Sequence, residues 1–509
     1  MTQKPTQIGS SAGFMVSEYQ GSVPGQVGER VSQDIADFAT NGLYEADPKR
    51  SAKVVFTKTH LRVIVALLVL LVGFTVWRPI LVLNLVLLAF SIAFLISTAF
   101  KYFVSVKGAR YEVAEQITAD EIAALDDETL PVYTVLVPVF KEANIVNQLV
   151  ANLGSIDYPK DKLEVLILTE EVDQETRDAI AKSDPPDNFR VIIVPKGEPQ
   201  TKPRACNVGL QIATGEYLVI FDAEDRPDPD QLKKALIAFR DGGPQTAVVQ
   251  AALNYYNYNE NFLTRMFALE YSYWFDYMLP GLDHAKLPIP LGGTSNHFRT
   301  DILKQLGGWD PFNVTEDADL GIRASALGYE VTVINSTTWE EANNQIPNFI
   351  RQRSRWIKGY MQTTLVHARE PGQLIKTVGL KKFAGFAALI GGTPITFLAV
   401  IPFMLLTLIT FIAGPALTSH LFNPAILWLS IINFVIGSQL VVYLCLMAPY
   451  KRANFGLTAW ALLNPFYWIL HSIASYKALW QLLFKPHYWE KTVHGLTNTA
   501  NVEPAVGES

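Results

Sequence analysis

Two pairs of long apolar runs enclose a more polar middle region. The first pair comprises residues 63–77 and 80–100, which contain no charged side chain and are separated by Arg78 and Pro79. As an α-helix the second run would be about 32 Å long, which matches the hydrocarbon thickness of a bilayer. We therefore predict a transmembrane hairpin over residues 60–105.

The second pair of apolar runs comprises residues 383–419 and 423–450, which contain no Asp, Glu, Lys or Arg. We expect the sequence GGTP at residues 391–394 to break the first run, so that an interfacial helix precedes the transmembrane helices of residues 376–450. Residues 451–485 combine a proline with amphipathic aromatic side chains, a pattern that fits interfacial and membrane helices equally well. The predicted number of spans is therefore four or six.

Basic residues lie on both sides of the first hairpin. They are Lys53, Lys58 and Arg62 before it, and Lys101, Lys107 and Arg110 after it. Because Lys and Arg are enriched in cytosolic flanks, both ends of the hairpin are predicted to be cytosolic. Residues 1–59 are polar and lack the apolar core of a cleavable secretion signal, so we expect a flexible cytosolic segment there. We also expect residues 486–509 to be a cytosolic segment and tail.

Short apolar runs alternate with segments of helical spacing between residues 107 and 375. The runs are VYTVLVPV, EVLIL, VIIV, YLVIF and AVVQ, at residues 132–139, 164–168, 191–194, 217–221 and 247–250. This alternation predicts an α/β domain with a parallel sheet. Ligands of such sheets bind beyond the carboxyl ends of the strands, so polar residues directly after the runs are the first candidates for a site.

The overall composition narrows the classes of function. Hydrophobic residues make up 49% and charged residues 18% of the chain, which favours a membrane protein. The net charge of −6 gives no sign of a nucleic-acid partner. Cys206 and Cys445 are too few for a disulfide framework or a zinc site, and the eight histidines show no H-x-x-x-H spacing.

An acidic loop follows the run YLVIF. Residues 222–230 read DAEDRPDPD, and the two prolines prevent a continuing helix. Asp222, Glu224 and the flanking Asp225 can present carboxylates to one hard cation, and Mg²⁺ or Mn²⁺ is typically held by one or two protein carboxylates together with substrate phosphates. The simpler alternative is a solvated acidic loop.

A glycine-rich loop, LGGTSNHFR at residues 291–299, precedes a second acidic motif. Its backbone at Gly293 and Thr294 can approach a phosphate or a sugar. The motif itself is NVTEDADLGIR at residues 313–323, in which acidic residues open a predicted helix. Capping by Thr315, with acids in the first turn, is the structural alternative to a catalytic role.

Taken together, the motifs FDAED, TED and QRSRW resemble those of the processive family 2 glycosyltransferases, which include cellulose, chitin and hyaluronan synthases and bacterial relatives. The resemblance covers residues from about 130 to 365 and the hairpins around them. The bacterial cellulose-synthase-like subgroup is the most similar, through RWIKG and a carboxy-terminal WEKTVHG at residues 489–495. WEKTVHG resembles the family's gating segment over the nucleotide, which implies a gating-like segment within residues 486–509. The family fold implied is an α/β GT-A (Rossmann-like) cytosolic glycosyltransferase domain inserted between α-helical transmembrane hairpins.

The resemblance implies a role for each motif. FDAED would bind a divalent cation, Mg²⁺ or Mn²⁺, through Asp222 with Glu224 or Asp225. TED would supply the general base, Asp317, with Glu316 and Thr315 beside it. The nucleotide-sugar site would comprise Glu170 or Glu171, Lys202, Asp222, Arg355, Lys491 and Thr492, with Arg353 or Arg351 as a second cation for the diphosphate. The acceptor site would comprise Gln352, Trp356, Gly293 and Thr294.

The function that the resemblance implies is processive, inverting polymerisation of a nucleotide-activated sugar into a β-linked polysaccharide, which is translocated across the plasma (inner) membrane. UDP-glucose is the expected donor, and UDP-N-acetylglucosamine is an alternative. The partners expected are the UDP-sugar, the growing polysaccharide and the lipid bilayer, and export or accessory subunits stay open. Two rival functions are the addition of one sugar to a lipid carrier and a non-catalytic transporter or receptor.

Overall fold

A computed structural model describes residues 28–111 and 117–491. Over these residues the strands are β1 Glu29–Arg30, β2 Tyr133–Val139, β3 Leu163–Glu170, β4 Phe189–Val194, β5 Tyr217–Ile220, β6 Arg226–Pro227, β7 Thr246–Tyr255, β8 Asn296–Arg299 and β9 Glu330–Glu340. All five strands predicted from apolar runs are present, with ends that differ by a few residues.

The helices come in three groups along the chain. Before the sheet lie α1 Gln33–Ala46, α2 Lys58–Trp77, α3 Pro79–Ala109 and α4 Ala119–Ala123. The domain contains α5 Val146–Gly154, α6 Gln174–Lys182, α7 Lys202–Ile212, α8 Gln231–Gly242, α9 Phe262–Tyr273, α10 Leu279–His284, α11 Thr300–Gln305, α12 Glu316–Ala326 and α13 Ile346–His367. After it lie α14 Pro371–Phe386, α15 Gly392–Ala413, α16 Pro415–Thr418, α17 Pro424–Met447 and α18 Asn464–Phe484.

The strands form one mixed sheet in the order β1-β4-β3-β2-β5-β8-β7-β9-β6. The neighbours from β1 to β5 are parallel, as predicted, and β7 is parallel to β9. However, β8 runs antiparallel to β5 and β7, and β6 runs antiparallel to β9. The prediction of a purely parallel sheet was therefore wrong at these two strands, which are too short and too polar to be recognised as apolar runs.

The sheet is buried on both faces because its strands alternate between two cores. Leu136 and Leu166 belong to one apolar cluster, whereas Val135 and Val165 belong to the other. Strands that are apolar at every position suit a sheet covered by helices on both sides. This packing fixes the carboxyl ends of β2, β3 and β5 at one edge, where the predicted site residues follow.

The amino-terminal segment is part of the folded domain rather than a flexible tail over residues 28–57. Strand β1 extends the sheet beside β4, and α1 packs its buried face against α7. Downstream of α1, the Ser51 hydroxyl and the Ala52 amide donate to the buried Asp310 carboxylate over 3.1 and 2.5 Å. Apolar residues such as Val31 and Leu43 are scattered thinly among polar ones, so the residue pattern contains only a weak signal for this packing.

Four helical segments in the described part of the chain are long and apolar enough to cross a membrane. They are Lys58–Trp77, Pro79–Ala109, Pro371–Ile412 and Pro424–Arg452. Helix α18 is not among them, which agrees with the lower of the two predicted counts. None of the residues of α2 is buried, as expected for a helix surrounded by lipid.

The expected break at residues 391–394 is not present. A π-helical turn over Ala387–Gly391 connects α14 directly to α15, and such turns accommodate irregular hydrogen bonding within a helix. The break lies earlier, at Gly379, whose φ of 81° is a conformation that favours glycine. Pro394 lies three residues after this turn, and local π-helical adjustments of this kind can re-satisfy the backbone groups that a proline frees inside a helix.

Helices α3 and α10 cross at two glycines. A Cβ atom on Gly108 would lie 1.8 Å from the Tyr277 carbonyl oxygen, and one on Gly281 would lie 2.1 Å from the Val104 carbonyl oxygen. The obstacles are backbone atoms, which cannot rotate away. This close crossing joins α3, a candidate membrane span, to the domain.

We expect Gly108→Ala to lower the stability of the protein by about 1–3 kcal/mol, because the added methyl group must separate two backbones. Gly73→Ala is the matched control, since Gly73 lies in α2 with no atom within 4 Å of its Cβ position. Thermal unfolding of the detergent-solubilised variants measures both effects. Equal unfolding temperatures for the two variants would contradict the importance of this crossing.

Candidate active site

A polar cavity of about 330 Å³ opens at the carboxyl ends of β2, β3 and β5. Its wall also includes the first turns of α7 and α12, one face of α13 and the segment after α18. The predicted site residues on this wall are Glu170, Lys202, Asp222, Glu224, Gly293, Thr294, Thr315, Glu316, Asp317, Gln352, Arg355, Trp356 and Lys491. Residues from distant motifs thus converge on one cavity.

Asp222 follows β5 and is held by Lys202 from the first turn of α7. The Lys202 ammonium donates to Asp222 Oδ1 and, over 2.7 Å, to the Gly293 carbonyl oxygen. One lysine therefore connects the acidic loop with the glycine-rich loop. Because α7 begins at the cavity, its positive end adds to the charge that Lys202 offers an anion.

Asp225 is fully buried and organises the loop from behind. Its Oδ2 accepts hydrogen bonds from the Asp222 amide, over 2.7 Å, and from the Thr294 hydroxyl. The Thr294 hydroxyl also lies 3.0 Å from the Ile220 carbonyl oxygen. The Thr294 hydroxyl is therefore engaged inside the protein, and an acceptor contact through the backbone of this loop stays a prediction.

The acidic loop fits a divalent cation in one particular way. Within residues 28–111 and 117–491, no three Asp, Glu, His or Cys side chains are arranged to hold an ion by themselves. Asp222 and Glu224 line the cavity, and buried Asp225 Oδ1 has no hydrogen-bond partner among the described residues. This set suits Mg²⁺ or Mn²⁺ completed by phosphate oxygens of a substrate.

The TED motif lies at the start of α12, but Thr315 does not form the helix cap that was considered as the alternative to a catalytic role. Thr315 makes no side-chain capping hydrogen bond, and its buried hydroxyl has no partner among the described residues. Asp317 Oδ1 accepts the Ala318 amide over 2.7 Å. Burial raises the pKa of both Glu316 and Asp317, and that of Glu316 to about 8. A pair of carboxyls with raised pKa values at a cavity wall is typical of general acid–base sites.

Arg355 is the arginine of α13 that reaches the polar cavity. Its guanidinium carbon lies 4.5 Å from the centre of the Trp489 ring, and its Nε is buried without a hydrogen-bond partner among the described residues. An arginine held by a ring but by no carboxylate can still form charge-assisted bonds to a diphosphate. Trp489 was missed by sequence reasoning, although it belongs to the WEKTVHG segment.

The other cations of α13 point elsewhere. Arg353 forms a bidentate ion pair with Glu270, Lys358 donates to the Tyr488 carbonyl oxygen over 2.6 Å, and Arg351 is exposed. The expectation that Arg353 or Arg351 supports Arg355 at a diphosphate is therefore not supported by the geometry. Helical spacing alone could not separate these roles, because their partners lie far away in sequence.

Of the two neighbouring acids Glu170 and Glu171, the structure brings only Glu170 into the polar cavity. Glu170, at the end of β3, lines the cavity, and burial raises its pKa to about 7. Glu171 turns away and pairs with Arg30 of β1 over 2.9 Å, so it is not brought into the site. Glu340 at the end of β9 also lines the cavity. The position of Glu340 and Glu341 directly after the β-rich segment of residues 331–339 could have indicated Glu340 as a site residue.

Lys491 and Gln352 are two further predicted contacts that lie on the wall of the polar cavity. The Lys491 ammonium donates to the Phe140 carbonyl oxygen and lies 3.8 Å from Glu142 Oε1. Thr492 falls outside the described residues. Gln352 lines the cavity, and its side-chain oxygen accepts from Asn343 over 2.8 Å, which leaves its NH₂ group for a ligand.

A second, largely apolar cavity of about 270 Å³ lies between the domain and the long apolar helices. Its wall includes Phe94 of α3, Phe397 of α15 and Phe434 of α17. The two cavities share six wall residues: Leu253, Tyr271, Gly293, Thr315, Asp317 and Trp356. The candidate base and the candidate sugar-stacking ring thus lie where the two cavities meet.

Comparison with known proteins identifies the domain. Residues 131–359 match the family model described as "Glycosyltransferase like family 2". This region is a family 2 glycosyltransferase domain. The match includes all three motifs on which the resemblance depended, and the mixed sheet is of the GT-A type.

The relatives of the glycosyltransferase domain include bacterial and plant proteins. It is 28% identical over 240 residues to "Probable glycosyltransferase YdaM" of Bacillus subtilis (strain 168), covering 46% of this chain and 57% of the relative. It is 28% identical over 253 residues to "Glucomannan 4-beta-mannosyltransferase 2" of Arabidopsis thaliana, covering 46% of each. The chain thus spans about half the length of the curated relatives it matches.

Among solved structures, the chain is similar to the mannosyltransferase PcManGT from Pyrobaculum calidifontis in complex with GDP-Man and Mn²⁺. The identity is 20% and the TM-score 0.48, and the match covers 78% of this chain and 99% of that one.

Asp317→Asn keeps the size of the side chain but removes the base. We expect sugar transfer to fall by roughly a hundredfold to ten-thousandfold, with nucleotide affinity little changed because Lys202 and Arg355 remain. Asp301→Asn is the matched control, since Asp301 is an exposed acid in the first turn of α11, outside both cavities. Transfer rates and nucleotide calorimetry measure the two quantities. Retained activity with a stability loss of about 1 kcal/mol would instead indicate a helix-end role.

Proposed function

We propose that this protein is a membrane-embedded, processive, inverting glycosyltransferase that adds hexose units from a nucleotide sugar to a β-linked polysaccharide. The observation that carries the proposal is that Asp317 lines both the polar and the apolar cavity. A donor in the polar cavity and an acceptor chain in the apolar cavity would meet at this carboxylate. The growing chain would then extend between the membrane helices.

The residues of the polar cavity support a single displacement. The acceptor hydroxyl gives its proton to Asp317 as its oxygen bonds to the anomeric carbon, and the bond from that carbon to the diphosphate oxygen breaks on the opposite side. Lys202 and Arg355 face the diphosphate and stabilise the charge that it gains on leaving. Attack opposite the leaving group inverts the anomeric centre, so no covalent sugar–enzyme intermediate is needed.

A divalent cation fits the same scheme. Asp222 and Glu224 are the residues that would hold Mg²⁺ or Mn²⁺ together with donor phosphates. When bound, the ion supplies positive charge that neutralises the diphosphate leaving group.

The names of the plant relatives favour a mannose nucleotide over UDP-glucose as the first donor to test. UDP-glucose is the donor expected from the resemblance to cellulose synthases. Curated relatives from Arabidopsis thaliana and Oryza sativa carry the name glucomannan 4-beta-mannosyltransferase, at 28% and 26% identity. We therefore propose a mannose nucleotide, such as GDP-mannose, as the first donor to test and a mannose-containing β-linked polymer as the product.

Purified protein in nanodiscs, supplied with radiolabelled GDP-mannose, UDP-glucose or UDP-N-acetylglucosamine and Mg²⁺ or Mn²⁺, tests this proposal. We expect one donor to yield a long polymer that linkage-specific β-hydrolases degrade, and we expect excess chelator to abolish its synthesis. Asp317→Asn protein is the negative control. A product that carries one sugar on an extractable lipid would favour lipid-carrier glycosylation, and no transfer from any donor would revive a transporter or receptor.

We also propose that the glycosyltransferase domain is cytosolic and that the protein is in the plasma (inner) membrane. The basic residues on both sides of the first hairpin support this orientation. Reporters fused after Lys107 or Lys451 should report the cytosol, whereas reporters near Arg78 or Ser419 should report the outside. Cytosolic signal from the Arg78 fusion would contradict the hairpin.

A further inference from the structure

Trp356 is covered on one side by Arg353, the second residue of the QRSRW motif. The guanidinium carbon of Arg353 lies 4.5 Å from the centre of the Trp356 ring. A guanidinium stacked on an indole leaves only the other face of the ring for a ligand. Because Trp356 lines both cavities, we expect its uncovered face to lie where they meet.

Arg353 is itself held rigidly. It is 5% exposed, and its two terminal nitrogens donate to the two carboxylate oxygens of Glu270 over 2.8 and 2.6 Å. A bidentate pair fixes the plane of the guanidinium as well as its position. The orientation of the arginine plane is thus set by α9, which carries Glu270.

Glu270 is in turn fixed from α18. The Tyr467 hydroxyl donates to Glu270 Oε2 over 2.6 Å, and His471 Nε2 lies 3.8 Å from Oε1. Burial alone would raise the pKa of Glu270, but Arg353, His471 and Tyr467 together lower it to about 2. The carboxylate is therefore ionised at any pH at which the protein works.

Stability does not by itself account for this arrangement. A buried ion pair is often no more stabilising than apolar residues of the same volume, because both charges lose their hydration. Arg353 and Glu270 line the apolar cavity but not the polar one. Their influence is thus expected on the acceptor side and not on the nucleotide.

We propose that Glu270 and Arg353 are positioning residues that fix the ring plane of Trp356 against the acceptor glycan and thereby set how long the enzyme retains its product. The inference rests on the proposed function. Pyranose rings bind an aromatic face by stacking, so a tilted indole would hold the chain end less well while leaving the donor contacts intact. Loss of the pair should therefore shorten the polymer.

Arg353→Lys tests the inference, because lysine keeps the positive charge but loses the planar fork. We expect the KM for an acceptor oligosaccharide to rise by roughly tenfold and the polymer to shorten, with the KM for the donor and nucleotide affinity within about twofold of the wild type. Arg351→Lys, at an exposed position of the same helix, is the matched control and should change neither quantity.

A double-mutant cycle shows whether Arg353 acts through the ring. Trp356→Ala alone should shorten the polymer, and adding Arg353→Lys to it should have little further effect. Glu270→Asp is a second, milder variant, which shortens the partner of Arg353 but keeps its negative charge. Gel filtration checks that each variant is folded. If Arg353→Lys aggregates, Glu270→Asp should still raise the acceptor KM.

Two results would overturn the inference alone. One is wild-type polymer length and acceptor KM in both Arg353→Lys and Glu270→Asp proteins. The other is an equal rise of donor and acceptor KM, which would indicate a general structural effect. If the wild-type protein forms no polymer from any donor, the proposed function fails and this inference fails with it.

Discussion

The arrangement of the site depends on a single helix, α13, that contacts both halves of the protein. Gln362 accepts the Val314 amide over 3.1 Å, and Asn313 donates to the Thr363 hydroxyl over 3.0 Å, so the helix holds the loop that leads into the TED motif. At Gly359 the approach is so close that a Cβ would lie 2.1 Å from the Thr315 hydroxyl oxygen. The same helix presents Arg355 and Trp356 to the cavities. One helix thus sets the distances among three groups: the candidate base Asp317, the candidate diphosphate-binding Arg355 and the candidate sugar-stacking Trp356.

The negative charge of the polar cavity is partly offset by groups within the protein. Several carboxyl groups line the cavity, and if all of them were ionised and unpaired the cavity would repel a diphosphate. Lys202 neutralises Asp222, and the raised pKa of Glu316 means that this residue carries a proton over much of the range near neutrality. Arg355 is bound by a ring and by no carboxylate among the described residues, so its charge remains for the donor. In the proposed mechanism the site would combine a candidate base, Asp317, with the positive charges of Lys202 and Arg355 on the same cavity wall.

Sequence reasoning reached those features that depend on local patterns. The apolar runs located five strands, and the acids after β5 and in the TED motif lie on one cavity as expected. It did not reach features that depend on distant partners. The position of Arg353 is decided by Glu270, 83 residues away, and Glu171 is drawn from the site by Arg30, 141 residues away. Strand β8 was missed because its residues, NHFR, are mostly polar and are buried only through the neighbouring strands.

The proposed position of the base also offers a reason why the site and the apolar helices belong to one chain. Helix α13 ends at His367, and the next apolar helical segment begins at Pro371, so few residues separate the site from the membrane region. An acceptor whose last hydroxyl reaches Asp317 must extend into the apolar cavity, because the polar cavity is where the nucleotide would be held. Each added unit would then move the chain by one sugar length along the membrane helices. A site built in this way favours retention of the product between additions, which is the physical requirement for processive synthesis.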